Sequence, residues 1–411
     1  NSAPDDPDFA ALRCQPASEP AQAEHWVTSW MTAPSDAIVA RTLANQTERQ
    51  MIAPHYDGKV VRFRLQNRFG QSAVTVSNVH IAKRDTGANL VDGSNCELSF
   101  DGSDTVTLQP GQSVASDPLY FPVRAFEKLA IDFYVPGTID QPSRHLDARE
   151  IPYTSTPGNF SGQADGSPFL PSEFATANNW LLLEGLDVVA PKSVGVVVAL
   201  GDSITDGADS LSNAFSPSNS PQNVGEDARY PDFLARRLLA AGKALSVGNA
   251  GISGNELIGS GLVPPYGIAT LERYTKDVLE VPGVTDVIIM IGTNDFGNDG
   301  ANTSAQDVID GYITLISDLQ SNGLNVLMGT IPPAKGFPVE PIPLIGGQMH
   351  GSADAIAKRA TVNEWIKTSG VPDGVVDFEA CLQDSSDPER MNPAFDSGDH
   401  LHPNPTGYAA M

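Results

Sequence analysis

Four short segments of this 411-residue chain combine glycine with side chains able to move protons or attack a carbon. They are Gly201-Asp-Ser-Ile-Thr-Asp-Gly207, Asn249-Ala-Gly-Ile-Ser-Gly-Asn255, Gly292-Thr-Asn-Asp-Phe-Gly297 and Asp396-Ser-Gly-Asp-His-Leu-His-Pro403. The first offers Ser203, whose hydroxyl is a poor nucleophile until a base accepts its proton. The last offers such a base in His402, an imidazole whose ordinary pKa lies near working pH. Asp399 stands three residues earlier and can reach the other ring nitrogen across one turn, fixing the tautomer and stabilising the imidazolium. Hydroxyl, imidazole and carboxylate grouped in this way attack a carbonyl and pass through an acyl-enzyme.

Each segment also has a plainer reading. Ser203 fits as the cap of a following helix, Asp202 as a residue that holds a turn by hydrogen bonding, and Asn294-Asp295 as a simple turn. His400 and His402 form an H-x-H pair, which suggests metal. The other five histidines (His25, His55, His80, His145 and His350) show no matching ligand spacing, so no metal and no cofactor are expected. Of the pair, His402 is the better base because it follows Asp399 by three, and His400 is expected to be structural or to line the site. What favours chemistry over turns is the company the segments keep.

That company depends on the elements before them. After Pro191, continuous apolar or β-branched runs at Val194–Leu200, Ala244–Val247, Val284–Ile291, Leu324–Gly329 and Val375–Phe378 read as parallel strands covered on both faces. Amphipathic helices are expected over Pro231–Gly242, Ala305–Ser321 and Ala353–Thr368. Five strands with crossover helices make a doubly wound, flavodoxin-like α/β domain. Ligands of such sheets bind outside the carboxyl ends of the strands, and the four polar segments follow the first, second, third and fifth strands.

At these residues the chain resembles the SGNH, or GDSL, hydrolases. Gly201–Gly207 is similar to the family's nucleophile block, Gly254 and Asn294 to its oxyanion-hole glycine and asparagine, and Asp399–His402 to its Asp-x-x-His block. All four occur in the family's order over the last 220 or so residues. The resemblance implies a serine esterase, with Ser203, His402 and Asp399 catalytic, and short acyl esters as substrates, including acetyl groups on carbohydrates. The Ser203 and Gly254 N–H groups and the Asn294 amide suit the oxyanion, because they donate without bringing a charge. An acyltransferase using the same site, and a carbohydrate-binding protein with an inert hydrolase domain, are the alternatives. A final helix usually follows the Asp-x-x-His block in this family; here Pro405–Met411 offers barely two turns, consistent with a trimmed C-terminus.

From about Trp26 to Val189 the pattern is different. Lys59–Asn67 alternates Val61, Phe63 and Leu65 with Arg62, Arg64 and Gln66, as a half-buried strand does. Ala73–Lys83, Thr105–Leu108 and Leu129–Val135 follow suit, with turn clusters between them. The expectation is an all-β sandwich or jelly roll over 25–190, with Asp140–Trp180 a long linking excursion, preceded by a flexible leader over 1–24 and followed by the α/β domain over 191–411. Some family members likewise carry a β-rich domain in front. Trp26 and Trp30 suit core packing better than stacking on sugars.

Net charge is −25, from 50 acidic against 25 basic residues. Nucleic acid and anionic lipid are therefore disfavoured as partners, and the longest apolar runs fall short of a membrane span. A small-molecule or glycan ester is the expected partner, and the oligomeric state is left open. The chain starts at Asn1 rather than Met, so a removed signal peptide and a secreted or periplasmic location are expected. Cys14, Cys96 and Cys381 have no metal-type spacing. A Cys14–Cys96 bridge would pin the leader to the first domain, and buried free thiols are the alternative. The long segments Ala208–Arg229 and Pro332–Gly351 are expected to shape a cleft, with Phe215, Phe296 and Phe337 as candidate acyl-pocket walls.

Overall fold

The structure is a computed structural model that describes residues 14–37, 42–171, 179–209, 224–259, 266–298, 302–342 and 346–411. The chain divides into two compact units, Asn1–Val196 with Ala235–Gly248, and Val197–Leu234 with Asn249–Met411. The first unit thus takes in Ala235–Gly248, a stretch the sequence pattern assigns to the second domain.

Before residue 192 the chain forms antiparallel sheets. One places Gln15–Pro16, Leu119–Val123, Gly58–Gln66, Leu183–Pro191 and Glu24–Met31 side by side, with Ser113–Ala115 also on Gly58–Gln66. A second runs Phe169–Pro171, Tyr153–Ser155, Leu43–Ile52, Leu129–Ile139, Val74–Lys83 and Cys96–Leu98, with Thr105–Leu108 also on Val74–Lys83, and Arg144–His145 pairs with Trp180–Leu181 as a third, two-stranded sheet. The alternation in Gly58–Gln66 has its expected result: Val61, Phe63 and Leu65 are fully buried. Arg62 and Arg64 lie on the other face and both reach the buried Asp187. Trp30 packs edge-on against Trp180 in the core, and the face of Trp26 is covered by the Arg62 guanidinium at 4.6 Å.

The Cys14–Cys96 bridge, one of the two alternatives for these cysteines, is present, and one stretch differs from the sequence reading. From Cys14 onward the leader is tied down, because Cys14 is disulfide-bonded to Cys96 and Gln15–Pro16 pairs with Tyr120 and Leu119. The Asp140–Trp180 excursion contributes Tyr153–Ser155 and Phe169–Pro171 to the second sheet. At three residues each, these strands are too short for alternation to show.

The α/β fold is built on a five-stranded parallel sheet. Its strands are β1 (Gly195–Gly201), β2 (Leu245–Gly251), β3 (Val284–Met290), β4 (Asn325–Gly329) and β5 (Gly374–Val376), in the order 2-1-3-4-5. This is the flavodoxin-like order, which reverses beside β1 and opens a crevice there. β1 is buried along its whole length, as a central strand covered on both faces must be. The helices are α1 (Ser203–Asp206), α2 (Tyr230–Ala240), α3 (Thr270–Tyr274, continued by a π turn over Thr275–Leu279), α4 (Thr293–Gly297), α5 (Ala305–Ser321), α6 (Ala353–Thr368), α7 (Phe378–Leu382) and α8 (Pro405–Ala410). A capping box at Ser304 and Asp307 starts α5, and its Val308, Ile309, Tyr312, Leu315, Ile316 and Leu319 form the buried stripe. Within Pro332–Gly351, Glu340–Ile342 and Gly346–Gln348 pair as a small antiparallel ribbon.

Candidate active site

Ser203 is the first residue of α1, immediately after β1. Asp202 caps that helix, its Oδ1 accepting the Ile204 N–H at 3.0 Å, as the hydrogen-bonding reading of Asp202 expects, which leaves the Ser203 side chain out of the capping role. Gly207, at φ 95°, ends the helix after one turn. The turn presents the Ser203 hydroxyl to His402, whose Nε2 lies 2.8 Å from Ser203 Oγ. On the far side of the ring, Nδ1 lies 2.7 Å from Asp399 Oδ2. The other carboxylate oxygen of Asp399 accepts the Leu401 and His402 backbone N–H groups at 2.9 and 2.8 Å. Ser203 is 7% exposed and His402 1%, so the Ser203–His402 hydrogen bond is shielded from competing water.

Charge is arranged unevenly here. Burial opposes the ionised form of Asp399, but the His402 ring and the hydrogen bonds from that residue and Leu401 outweigh it, holding the carboxyl well below its usual range. Asp202 goes the other way: burial pushes it up to about 7, against the pull of the Ile204 N–H, His402 and Arg273.

The segments after β2 and β3 are drawn toward the same place. The Ile252 N–H donates to Gly201 O at 3.1 Å, and Asp206 Oδ2 accepts both the N–H and the hydroxyl of Ser253, at 3.0 and 2.9 Å. Asp295, at the start of α4, accepts the Leu257 and Ile258 N–H groups at 2.8 and 3.0 Å. Its neighbour Asn294 donates one Nδ2 hydrogen to Asn255 O at 2.9 Å. Gly254 therefore lies between a segment tied to α1 and one tied to α4. It adopts φ +79°, and a Cβ there would come within 2.2 Å of the Tyr266 ring, so no larger residue fits. Among the described residues, the Ser203 and Gly254 N–H groups and the second Asn294 amide hydrogen have no hydrogen-bond partner.

Of the residues expected at the site, Ser203, Asp399 and His402 come together, with Gly254 and Asn294 alongside. His400 turns away: its Nδ1 is 2.5 Å from Asp396 Oδ2 and its side chain is 44% exposed. Phe296 is buried, and Phe337 is buried against Ala334 and Leu401. Phe215 lies outside the described residues. Behind His402, α8 is capped by Asn404, and Tyr408 within it is fully buried and donates its hydroxyl to Ala208 O.

Two residues with no motif around them join the site. Arg273 is buried and donates to Gly201 O (2.9 Å), Ala250 O (2.8 Å), Asn255 Oδ1 (2.9 Å) and Asp277 Oδ2 (3.0 Å). One guanidinium thus ties the ends of β1 and β2 to Asn255, next to Gly254, a use that suits its rigid fork of donors. His350 is the second: its Nε2 lies 2.9 Å from Asn294 Oδ1. Neither has a spacing that sequence reading can use, since each is identified by contacts with residues distant along the chain.

A family model described as GDSL-like Lipase/Acylhydrolase family matches residues 199–410. No curated protein matches. Solved structures similar to the chain include a GDSL-like lipase from Bacteroides thetaiotaomicron, at 19% identity and TM-score 0.35, covering 54% of this chain and 84% of that one. The native aryl esterase of M. smegmatis is similar at 18% identity and TM-score 0.37, covering 53% and 94%. Est24, a carbohydrate acetylesterase from Sinorhizobium meliloti, is similar at 18% identity and TM-score 0.36, again covering 53% and 94%. The matched span runs from the last residues of β1 to α8 and holds Ser203, Gly254, Asn294, Asp399 and His402: the chain belongs to the GDSL-like lipase/acylhydrolase family.

Proposed function

We propose that the protein hydrolyses short-chain carboxylic esters, acetyl esters in particular, through a covalent acyl-Ser203 intermediate. The observation that carries this reading is the unbroken line of hydrogen-bond distances from Ser203 Oγ through His402 to Asp399. In the first step His402 Nε2 takes the hydroxyl proton as Ser203 Oγ bonds to the ester carbonyl carbon. The carbonyl oxygen becomes an oxyanion facing the Ser203 N–H, the Gly254 N–H and the Asn294 amide. Collapse breaks the bond to the alcohol oxygen, which leaves with the proton from His402. Water then repeats the sequence on the acyl-enzyme, with His402 as base, and releases the acid. Asp399 remains a carboxylate throughout and stabilises the imidazolium.

Ser203 is only 7% exposed, which supports a small acyl group. An acetylated carbohydrate is the natural substrate we favour. The Cys14–Cys96 disulfide supports a location outside the reducing cytosol. Among the described residues no helix is long and apolar enough to cross a membrane. Ser203→Ala should abolish p-nitrophenyl acetate turnover while leaving the circular dichroism spectrum and thermal transition unchanged. A folded Ser203→Ala variant with wild-type turnover would refute the reading.

A further inference from the structure

The Asn294 amide can serve an oxyanion only if its nitrogen, and not its oxygen, faces the reacting group. A carboxamide has two edges of opposite character and turns over by rotation about one bond. In this structure both edges are engaged. Asn294 Nδ2 donates to Asn255 O at 2.9 Å, and Asn294 Oδ1 lies 2.9 Å from His350 Nε2. A carbonyl oxygen only accepts, so the shared proton resides on His350 Nε2. Turning the amide over would set Oδ1 against the Asn255 carbonyl and Nδ2 against the His350 N–H, losing two hydrogen bonds and creating two repulsive contacts.

The surroundings of His350 fit a ring that must not move. It is buried, and its Nδ1 has no hydrogen-bond partner among the described residues. A ring with one bare nitrogen in such a place stays neutral: burial, with some help from His402, pushes it down to about 3. The Phe337 ring meets it edge-on, with centroids 5.1 Å apart. On another side lies Gly297 of α4, where a Cβ would come within 2.1 Å of His350 Nε2. The Met349 N–H donates to Gly297 O at 2.7 Å, fixing the backbone beside the ring. The glycine therefore forms a notch into which the imidazole fits, three residues after the asparagine it contacts.

We propose that His350 is a positioning residue for the oxyanion hole, its Nε2–H donating to Asn294 Oδ1 and so holding the amide's N–H edge toward the developing negative charge. The proposal rests on the ester-hydrolase reading above. His350 touches neither Ser203 nor substrate in this role and acts through Asn294 alone.

The test compares wild type, His350→Phe and His350→Gln on p-nitrophenyl acetate, with Ser203→Ala as control. Phe keeps a ring in the Gly297 notch and removes the donor; Gln restores a neutral N–H at similar reach. His350→Phe should lower kcat by roughly 10- to 100-fold with KM nearly unchanged, somewhat less than deleting an oxyanion donor outright. His350→Gln should recover most of that loss. Wild-type kcat in folded His350→Phe, or equal loss in both variants, would overturn the proposal. Long-range 1H–15N spectra of the wild-type ring give a reading that needs neither variant. They should show Nε2 protonated and Nδ1 bare at pH 5 as at pH 8, and the opposite tautomer would overturn the proposal whatever the kinetics. If the wild type hydrolyses no ester, or Ser203→Ala still does, the parent reading fails; if both behave as expected and His350→Phe matches wild type, only the present proposal fails.

Discussion

Asp399 holds His402 at two points: Oδ2 lies 2.7 Å from the ring Nδ1, and Oδ1 accepts the backbone N–H of the same residue at 2.8 Å. The double grip fixes both the ring and the strand of chain that carries it. An asparagine at 399 cannot reproduce it. Its amide nitrogen would face either the ring, forcing the proton onto Nε2, or the Leu401 and His402 N–H groups, donor against donor. Asp399→Asn should therefore fold, bind substrate with little change in KM, and lose roughly 10³- to 10⁴-fold in kcat, by analogy with the same change in serine proteases. Steady-state kinetics with p-nitrophenyl acetate measure this directly.

In the proposed mechanism the Asn294 amide acts on the transition state rather than on the bound ester. Asn294→Ala should lower kcat by roughly 10²- to 10³-fold and leave KM within a few-fold. A variant that instead raised KM at constant kcat would assign Asn294 to ground-state binding.

His350 also makes stability depend on pH. Its folded-state pKa, about 3, lies below its ordinary value of 6.5. Between the two, the unfolded chain binds a proton that the folded chain does not, so stability is lost as pH falls from 6.5 toward 3. Urea unfolding of wild type and His350→Gln at pH 7, 6, 5 and 4 should show the wild type losing ground to the variant below pH 6.5, by at most about 1.4 kcal/mol per pH unit. A constant difference between the two would show that the ring charges freely where it sits.

Arg273 gives a prediction about scaffolding. Its guanidinium connects the Gly201 and Ala250 carbonyls to Asn255 and faces the equally buried Asp277. Arg273→Met keeps much of the volume and leaves a buried carboxylate without this partner, a loss of about 3–5 kcal/mol. Denaturant titration should show that fall, and the residual folded enzyme should have a reduced kcat because the ends of β1 and β2 are no longer tied together.

The sequence made the parallel sheet legible because its strands are continuous apolar runs, and the motif residues because they follow those strands directly. Val287–Ile291, for example, has the length and continuous apolar character of a covered strand, and Asn294 follows it after two residues. Alternation in Lys59–Asn67 was equally readable. What stayed hidden was whatever depends on contacts between distant positions. The strands at Tyr153–Ser155 and Phe169–Pro171 are defined by their partners, since three residues carry no periodicity. Phe337, a candidate pocket wall by type alone, packs on Ala334, Leu401 and the His350 ring. His350 carries no signal in the sequence, because the spacing of histidines reports on metal ligands, whereas the role proposed for it comes from a single hydrogen bond to a residue 56 positions away.

The proposed mechanism requires that Ser203 become covalently acylated. Acid-quenching the enzyme within the first turnovers of p-nitrophenyl acetate, followed by peptide mass spectrometry, tests it most directly. One acetyl group is expected on the peptide containing Ser203 in the wild type, and none in Ser203→Ala. An acetyl group on another residue that turns over at the catalytic rate, or full hydrolysis by Ser203→Ala, would contradict it.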